Sequence, residues 1–215
     1  MSEQITILRE EPAVWDARLA RAYAAGEISE LPFTQLAAWA TSKQLTGWTS
    51  IRLVVSHQSG AWAGAQLLMQ SLPGPLGRLA YAPRAPLVVT QRPEIAAVLR
   101  AELLAALRSL RADGVTLVRL EPGDSVLMDP EGSVVQPDVT LTASLRTPWH
   151  AAAASANLRL HLAAPIQPRS SRRIPLAGGV EAVRAGWRSK WRQYARQAIS
   201  DGVTVRLGSP EELPS

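Results

Sequence analysis

The sequence contains no cysteine, which excludes a disulfide framework, a catalytic thiolate and any metal site built on cysteine. It also lacks an uninterrupted apolar run of about 18 residues, the length that a membrane-spanning helix requires. The first residues, MSEQITILREEPAVW, include acids and have no apolar core of the kind found in signal peptides. From these absences we expect a protein of the reducing cytoplasm.

Several motifs that carry chemistry are missing too. The sequence has neither a G-x-S-x-G nucleophile motif nor the G-x-x-x-x-G-K-[ST] phosphate loop. His57, His150 and His161 do not follow a ligand spacing, so we predict no metal site. The Arg/Gln-x-x-Gly-x-Gly/Ala loop, which binds the pyrophosphate of acetyl-CoA at a helix N-terminus, is absent. We therefore predict no cofactor, and any acyl transfer would need a different donor.

What the chain does contain is an ample apolar fraction and a local excess of positive charge. Hydrophobic residues make up 47% of the 215 residues, enough for a sizeable core. From Arg159 to Arg206 we count ten Arg and Lys against two acids, whereas the net charge of the whole chain is +5. A basic region of this kind usually meets an anion: phosphate, nucleic acid or an acidic membrane surface.

The periodicity of apolar residues and the positions of glycine and proline predict alternating helices and strands. A helix followed by a buried strand favours an α/β class. Thr34 is the predicted cap of the second helix, Thr147 the cap of the fourth, and Pro148 its first residue. The predicted helices are 12–26, one within 31–48 that Gly47 ends, 92–113, 147–162 and 180–200, and a further helix is predicted to begin at Ser209. The predicted strands are 51–57, 61–72, 78–88, 115–122 and 201–207, with a short strand near VVQPDVTLTA.

The stretch WRSKWRQYARQAISDG, residues 187–202, raises the main functional question. If 180–200 is one helix, Val180, Val183, Trp187, Trp191 and Ile199 form a buried stripe, with Tyr194 or Ala195 between the last two. The arginines at 184, 188, 192 and 196 then follow one another at i+4 steps, where like charges repel. Such a face is either simply solvated or binds phosphate, since arginine holds phosphate oxygens in bidentate geometry.

Several segments, in order, resemble the FemA/FemB/FemX group of peptidoglycan-bridge aminoacyltransferases. They are FTQLAAWATSKQLTGW (33–48), GAQLLM (64–69), LAYAPRAPLV (79–88), GVTLVRLEP (114–122), IQPR (166–169) and KWRQYARQAISDGVTVR (190–206). The corresponding family forms are Q-x-x-x-W-x-x-x-K-x-x-x-G-W, Y-x-P-R/K-G-P, I-Q-P-R and K-x-R-Y-N-I-R-x-A-x-x-x-G-V. Here Ala85 stands where the family has glycine, and the aromatic residue of Q-Y-A-R is shifted by one position.

The resemblance implies two GNAT-like domains, with residues 1–150 as the first and 151–215 as the beginning of a second. It implies transfer of an amino acid from aminoacyl-tRNA to the stem peptide of a UDP-linked or lipid-linked muramoyl-pentapeptide. A lipid-linked substrate would bring the protein to the membrane surface. The implied substrate-binding residues are Lys43 for the phosphates, Tyr81 and Arg84 near the substrate groove, and Arg192 and Arg196 for pyrophosphate and nucleotide contact.

The residues leave three interpretations open. The chain is a truncated or fragmentary transferase, an inactive remnant or partner subunit of one, or a nucleic-acid-binding module that uses the 180–200 helix. No residue stands out as a catalytic base, and positioning of two large substrates could supply much of the rate. We therefore predict binding residues and no catalytic ones.

Overall fold

The computed structural model describes residues 4–122, 139–161, 163–164, 166–167, 174 and 176–209, with the backbone only for 139–146. The strands are β1 (Ile5–Arg9), β2 (Thr49–His57), β3 (Trp62–Ser71), β4 (Arg78–Pro83), β5 (Leu87–Val89) and β6 (Val115–Glu121). The helices are α1 (Pro12–Ala24), α2 (Ala37–Gln44), α3 (Pro93–Ser109), α4 (Val139–Ser155), α5 (Gly179–Ala185) and α6 (Ser189–Ser200). Short 3₁₀ turns cover Phe33–Gln35, Gly74–Leu76 and Leu110–Asp113. None of the helices described is long and apolar enough to cross a bilayer.

The strands form one mixed sheet in the order β1-β2-β3-β4-β6, and β5 pairs with β3. Neighbours from β1 to β4 are antiparallel, whereas β4 and β6 run parallel. The parallel pair needs a long crossover, which α3 supplies. The carboxyl ends of β4 and β6 consequently meet at one edge of the sheet, where Pro83 is in register with Glu121.

Successive side chains of the central strands point to opposite faces of the sheet, so the core is divided between the two faces. On one face, Leu53 and Val55 of β2 pack in a cluster with Leu99, Leu103 and Leu107 of α3. On the other face, Val54 and Trp62 pack with Trp15 and Leu19 of α1. Both faces are thus covered by helices, and the predicted class, a mixed α/β sheet flanked by helices, is confirmed.

Gly64 shows how closely α1 approaches the sheet. A Cβ added at this position would lie 2.8 Å from the carbonyl oxygen of Leu53 and 3.0 Å from the ring of Trp15. Residues without a side chain are favoured where another group lies this close to the backbone.

The predicted order of elements from 12 to 122 is confirmed, except that the predicted strand 78–88 forms two separate strands, β4 and β5. Strand β1 is an additional strand that the sequence did not indicate. Two boundaries were wrong. The 31–48 segment is a 3₁₀ turn followed by α2, and Leu36 rather than Thr34 is the N-cap, because the Thr34 hydroxyl bonds elsewhere. Helix α4 begins before Thr147, so Pro148 lies inside it, and it ends at Ser155, two residues before Asn157, whose φ of 52° is left-handed.

The prediction of one helix over 180–200 was also wrong. The chain forms α5 and α6, separated at Gly186, Trp187 and Arg188, and Arg188 has an extended ψ of 148°. Glycine inside a helix costs about 1 kcal/mol relative to alanine, which favours a break there. The predicted strand 201–207 is not formed, because residues 203–207 pair with no strand among those described, and a strand requires a partner for its backbone groups.

The helix predicted from Ser209 lies almost wholly outside the described residues. So does the first part of the VVQPDVTLTA segment, and its residues from Val139 onward belong to α4. Contacts divide the chain into two units, Met1–Gln167 and Pro168–Ser215. The domain boundary predicted at 150/151 falls inside α4, and the assignment of the second unit to a second GNAT-like domain stays a prediction.

Candidate functional site

A group of polar side chains, which we call the strand-end cluster, lies at the carboxyl ends of β4 and β6. It consists of Tyr81, Arg119, Glu121 and Gln167. The Tyr81 hydroxyl donates to Oε2 of Glu121 at 2.8 Å and accepts a hydrogen bond from Nε2 of Gln167 at 3.1 Å. Because Tyr81 lies on β4 and Glu121 on β6, this contact ties the two parallel strands together where they end.

The Glu121 carboxylate also binds the backbone that precedes the second unit. Its Oε1 accepts from the amide of Ile166 at 2.7 Å, and its Oε2 accepts from the amide of Gln167 at 3.2 Å. Arg119 approaches Oε1 with Nε at 3.2 Å and Nη2 at 3.1 Å, and it also donates to the carbonyl of Ala164. One carboxylate thereby fixes the first two residues of the I-Q-P-R segment to the sheet edge.

These contacts set the protonation states of the cluster. Burial opposes ionisation of Glu121, but the hydrogen bonds from Ile166, Tyr81, Gln167 and Arg119 outweigh it and lower the pKa of Glu121 below its ordinary value. Burial is the main cause that raises the pKa of Tyr81 to about 12, and the Glu121 carboxylate adds to it. At neutral pH the cluster therefore holds an ionised carboxylate and a neutral phenol, and neither group is suited to accept a proton from a substrate amine.

A second set of contacts, the glutamine network, positions the start of α2. Nε2 of Gln35 donates to the carbonyl of Pro83 at 2.7 Å, and Oε1 of Gln35 accepts from the amide of Gln66 at 2.7 Å. The Thr34 hydroxyl also donates to the Pro83 carbonyl, at 3.2 Å, and Nε2 of Gln66 donates to the carbonyl of Leu36 at 2.9 Å. Thr34, Gln35 and Gln66 are almost completely buried, so these bonds are shielded from water.

The network places α2 beside the end of β4, and it positions two of the predicted site residues. Pro83 is followed directly by Arg84, a half-buried arginine with the unusual left-handed φ of 54°. Tyr81 and Arg84 thus belong to the same strand end, as their shared motif predicted. Lys43 lies on the last turn of α2, in the helix that the network orients.

Lys43 belongs to a surface group that we call the aromatic–lysine patch, formed by Phe33, Trp39 and Lys43. The Lys43 Nζ lies 4.7 Å from the centre of the Trp39 ring, and the Trp39 ring stands edge-to-face with Phe33 at 5.3 Å. The patch explains the four-residue spacing of Trp39 and Lys43, since i and i+4 side chains are neighbours on a helix.

The two predicted arginines of the second unit differ from each other. Nη1 of Arg192 donates to the carbonyls of Ala185 and Trp187, at 3.2 and 2.6 Å, so Arg192 supports the break between α5 and α6. Arg196 is exposed, and in the described part of the chain it makes no hydrogen bond or ion pair. Because Arg184 lies in α5 and Arg188 is the N-cap of α6, the predicted row of four arginines along one helix is not formed.

The predicted buried stripe of this region was likewise wrong. Trp191 is 64% exposed, Tyr194 54% and Ile199 72%. They do share one side of α6, as the spacing predicted, and that side lies open in the second unit.

Sequence reasoning did not single out Glu121, Gln167, Gln35 or Gln66. Glu121 and Gln167 lie within the quoted R-L-E-P and I-Q-P-R segments, and Gln35 opens the Q-x-x-x-W-x-x-x-K pattern. A carboxylate that ends a predicted strand just before proline was the available signal for Glu121, and nothing in the sequence signals its contact with residues 166 and 167. That strand was predicted to be buried, but only Val115 of β6 is buried in the structure.

The FemAB family model matches residues 24–215, and the chain therefore belongs to the FemAB family. Among solved structures, a crystal structure of FemX is similar at 26% identity with a TM-score of 0.43, over 54% of this chain and 27% of that chain. A crystal structure of a Trypanosoma brucei acetyltransferase is similar at 18% identity with a TM-score of 0.37, over 56% of this chain and 84% of that chain. The chain spans about a quarter of the length of the FemX structure. A search of curated proteins gave no match. The predicted family is confirmed.

Proposed function

We propose that this chain is an aminoacyltransferase of peptidoglycan-bridge synthesis and that it carries the acceptor-binding site. The enzyme would transfer an amino acid from aminoacyl-tRNA to an amine on the stem peptide of a muramoyl-pentapeptide. Membership of the FemAB family over residues 24–215 is the observation that carries this proposal. A lipid-linked precursor would require contact with the cytoplasmic face of the membrane.

The geometry of the first unit supports a role in binding and positioning. Thr34 and Gln35, which lead into the helix of Lys43, donate to the carbonyl of Pro83 at the end of β4. Tyr81 lies on β4, and Arg84 directly follows it. Lys43 contacts the Trp39 ring and, among the described residues, makes no ion pair, so its ammonium is available for a phosphate. In the second unit, Arg196 is the stronger candidate for phosphate contact, since Arg192 is engaged with backbone carbonyls.

The chemistry would rest on orientation. The attacking amine must lose a proton. The two groups of the strand-end cluster that could act as a base are a carboxylate whose oxygens both accept hydrogen bonds and a neutral phenol. Alignment of two bound substrates is worth at most roughly 7–11 kcal/mol of the barrier. We therefore assign no catalytic residue.

The test is to incubate the chain with aminoacyl-tRNA and the UDP-linked precursor and to measure the mass of the precursor. The proposed activity adds one aminoacyl residue to the stem peptide, which is located by fragmentation. A precursor that is bound but never gains mass would leave an inactive remnant or a partner subunit as the better description.

A nucleic-acid-binding module is the second candidate, and α6 is the observation that favours it. Its exposed Trp191 and Tyr194 could stack on bases next to Arg188, Arg192 and Arg196. Such a module would bind DNA of any sequence, and its affinity would fall steeply with salt. Binding that prefers the muramoyl-pentapeptide over DNA at every salt concentration would exclude it.

A further inference from the structure

We propose that α6 is an interfacial helix that binds the surface of a bilayer containing anionic lipid, with its apolar side in the lipid and its cations at the lipid phosphates. The inference goes beyond the proposed function, because it holds whether or not the chain transfers an amino acid. It concerns direct contact between the protein and phospholipid, whereas the proposed function involves the membrane only as the place of a lipid-linked precursor.

The first support is the extent of the apolar side of α6. A helix turns by about 100° per residue, so its five apolar side chains occupy one arc of about 140°. They are Trp191, Tyr194, Ala195, Ala198 and Ile199. The three large ones are 64%, 54% and 72% exposed, so the arc lies open. A surface helix of a globular protein normally packs such an arc against a core, and an open one marks a surface for a partner.

The second support is the position of the cations. Residues 188–200 contain four of them and no acid. Lys190 borders the arc beside Tyr194, and its nitrogen lies 5.5 Å from the centre of that ring. Arg192 and Arg196 lie along the opposite border, by the same turn per residue. A helix with cations on both borders of its apolar side can lie flat in the interface, since the long cationic side chains reach the phosphates while the apolar side enters the acyl region.

The third support is the kind of apolar residue that the arc contains. Trp191 and Tyr194 each combine an apolar ring with one polar atom, and such side chains are enriched where lipid meets water. Trp191 lies near the centre of the arc, where a flat helix is deepest, and Tyr194 lies at its edge next to Lys190. The arc therefore suits an interface between lipid and water.

The charges also argue against the other occupants of this side. A second copy of the chain would bring four cations against four more, and like charges that face each other oppose association. A nucleic acid would neutralise the cations and stack on the two rings, but it would leave Ile199 in water, because bases stack on aromatic side chains. An anionic bilayer accommodates both the cations and the whole arc.

The test uses vesicles of phosphatidylcholine, with and without phosphatidylglycerol, and no precursor. Because the chain has no cysteine, a single introduced cysteine can carry an environment-sensitive fluorophore at a chosen site. Ile199→Cys places the label in the arc, and Gln193→Cys places it on the opposite side of the same helix; both positions are exposed. Cooperative melting of each variant checks the fold.

We expect vesicles with phosphatidylglycerol to shift the emission of the Ile199→Cys label to the blue and to leave that of the Gln193→Cys label unchanged. Binding should be weaker without phosphatidylglycerol, by about fivefold for each cation at the surface. Trp191→Gln should weaken binding by about tenfold or more, since a large apolar side chain is no longer buried. Tyr23→Gln is the matched control, because Tyr23 is 52% exposed on α1, and it should bind like the wild type.

Equal shifts of the two labels would overturn the proposal, as would equal affinity of the wild type and Trp191→Gln, or no vesicle binding by the folded wild type. A label at Ile199→Cys that is already shifted to the blue without vesicles would show that the arc is covered. Light scattering would then identify a second copy if the chain is a dimer, or the chain itself if it is a monomer, and either result overturns the proposal. Displacement of the vesicles by duplex DNA, with a larger loss in Trp191→Gln for DNA than for vesicles, would assign α6 to nucleic acid.

The result is independent of the proposed function. Transfer to the soluble UDP-linked precursor needs no bilayer, so it can be measured in the same variants without vesicles. Vesicle binding without transfer would leave the interfacial helix in place and contradict the proposed function. Transfer without vesicle binding would do the reverse.

Discussion

The Tyr81 hydroxyl donates a 2.8 Å hydrogen bond to the Glu121 carboxylate across the two parallel strands of the sheet. The same carboxylate accepts the backbone amides of Ile166 and Gln167. Tyr81 of the Y-x-P-R segment and Gln167 of the I-Q-P-R segment are 86 residues apart in the sequence. The Glu121 carboxylate thereby joins these two segments at one point. This contact gives the motif tyrosine a positioning role that does not require it to touch substrate.

The first prediction concerns the ionisation of Tyr81. Burial and the neighbouring carboxylate raise its pKa to about 12, so the folded chain keeps this phenol protonated above pH 10, where an unfolded chain loses the proton. Stability should therefore fall as the pH rises through this window. Absorbance of tyrosinate should show a late-titrating tyrosine in the folded wild type. If the late phase persists in Tyr81→Phe, the assignment is wrong.

The second prediction concerns Glu121 and acid. Its pKa is lowered in the folded chain by bonds from Ile166, Tyr81, Gln167 and Arg119, which outweigh the opposing effect of burial. Its contribution to stability is therefore complete above its ordinary pKa, and it is lost as the pH falls through the lowered value. Glu121→Gln should lower the free energy of unfolding at pH 7 by about 1–3 kcal/mol.

The check for Glu121 is a series of urea unfolding curves between pH 7 and pH 3. The difference between the wild type and Glu121→Gln should shrink toward low pH, where the wild-type carboxylate becomes protonated. Glu94→Gln is the matched control, since Glu94 is exposed at the start of α3. A difference that is independent of pH would show that the charge of Glu121 is not what stabilises the cluster.

The third prediction concerns the glutamine network. Gln35→Ala leaves the buried amide of Gln66 without its acceptor and removes a donor from the Pro83 carbonyl. An unsatisfied buried polar group costs about 1–3 kcal/mol, so the variant should lose more than about 2 kcal/mol. Gln44→Ala, at the exposed end of α2, should change stability by less than about 0.5 kcal/mol. Similar losses in both variants would contradict the network.

The fourth prediction separates the two arginines of α6. Arg192 donates to carbonyls at the break between α5 and α6, whereas Arg196 is exposed. Arg192→Ala should accelerate amide hydrogen exchange in the first turn of α6, because an exposed hydrogen bond contributes about 0.5–1.5 kcal/mol. Arg196→Ala should leave that exchange unchanged. The reverse pattern would assign the structural role to Arg196.

The sequence predicted the fold better in the first unit than in the second. Strands β2 and β3 and helix α3 carry strong periodic patterns, and burial against the sheet reinforces what each pattern favours. In the second unit, the same kind of pattern predicted a long helix and a buried stripe. There a glycine interrupts the helix, and no described residue of the unit covers Trp191 or Ile199.

Part of the site was accessible from the sequence because motif residues lie close together on one element. Trp39 and Lys43 are one helical turn apart, and Tyr81 and Arg84 share a strand end. Glu121 and Gln167 come together only through the parallel pairing of β4 and β6 and the contacts of residues 166 and 167 with the Glu121 carboxylate. Such long-range contacts are fixed by topology, which spacing along the chain does not encode.

The most direct test of the account is a calorimetric titration of UDP-muramoyl-pentapeptide into the wild type, Lys43→Ala and Lys190→Ala. The chain has these two lysines only, and Lys190 is a matched control because its nitrogen lies 5.5 Å from the Tyr194 ring, much as Lys43 lies over Trp39. A charge-assisted phosphate contact is worth about 1.5–3 kcal/mol, so Lys43→Ala should weaken binding by at least about tenfold. Lys190→Ala should bind like the wild type. No saturable binding to a folded wild type, or equal affinity in Lys43→Ala, would contradict the proposal that this chain carries the acceptor site.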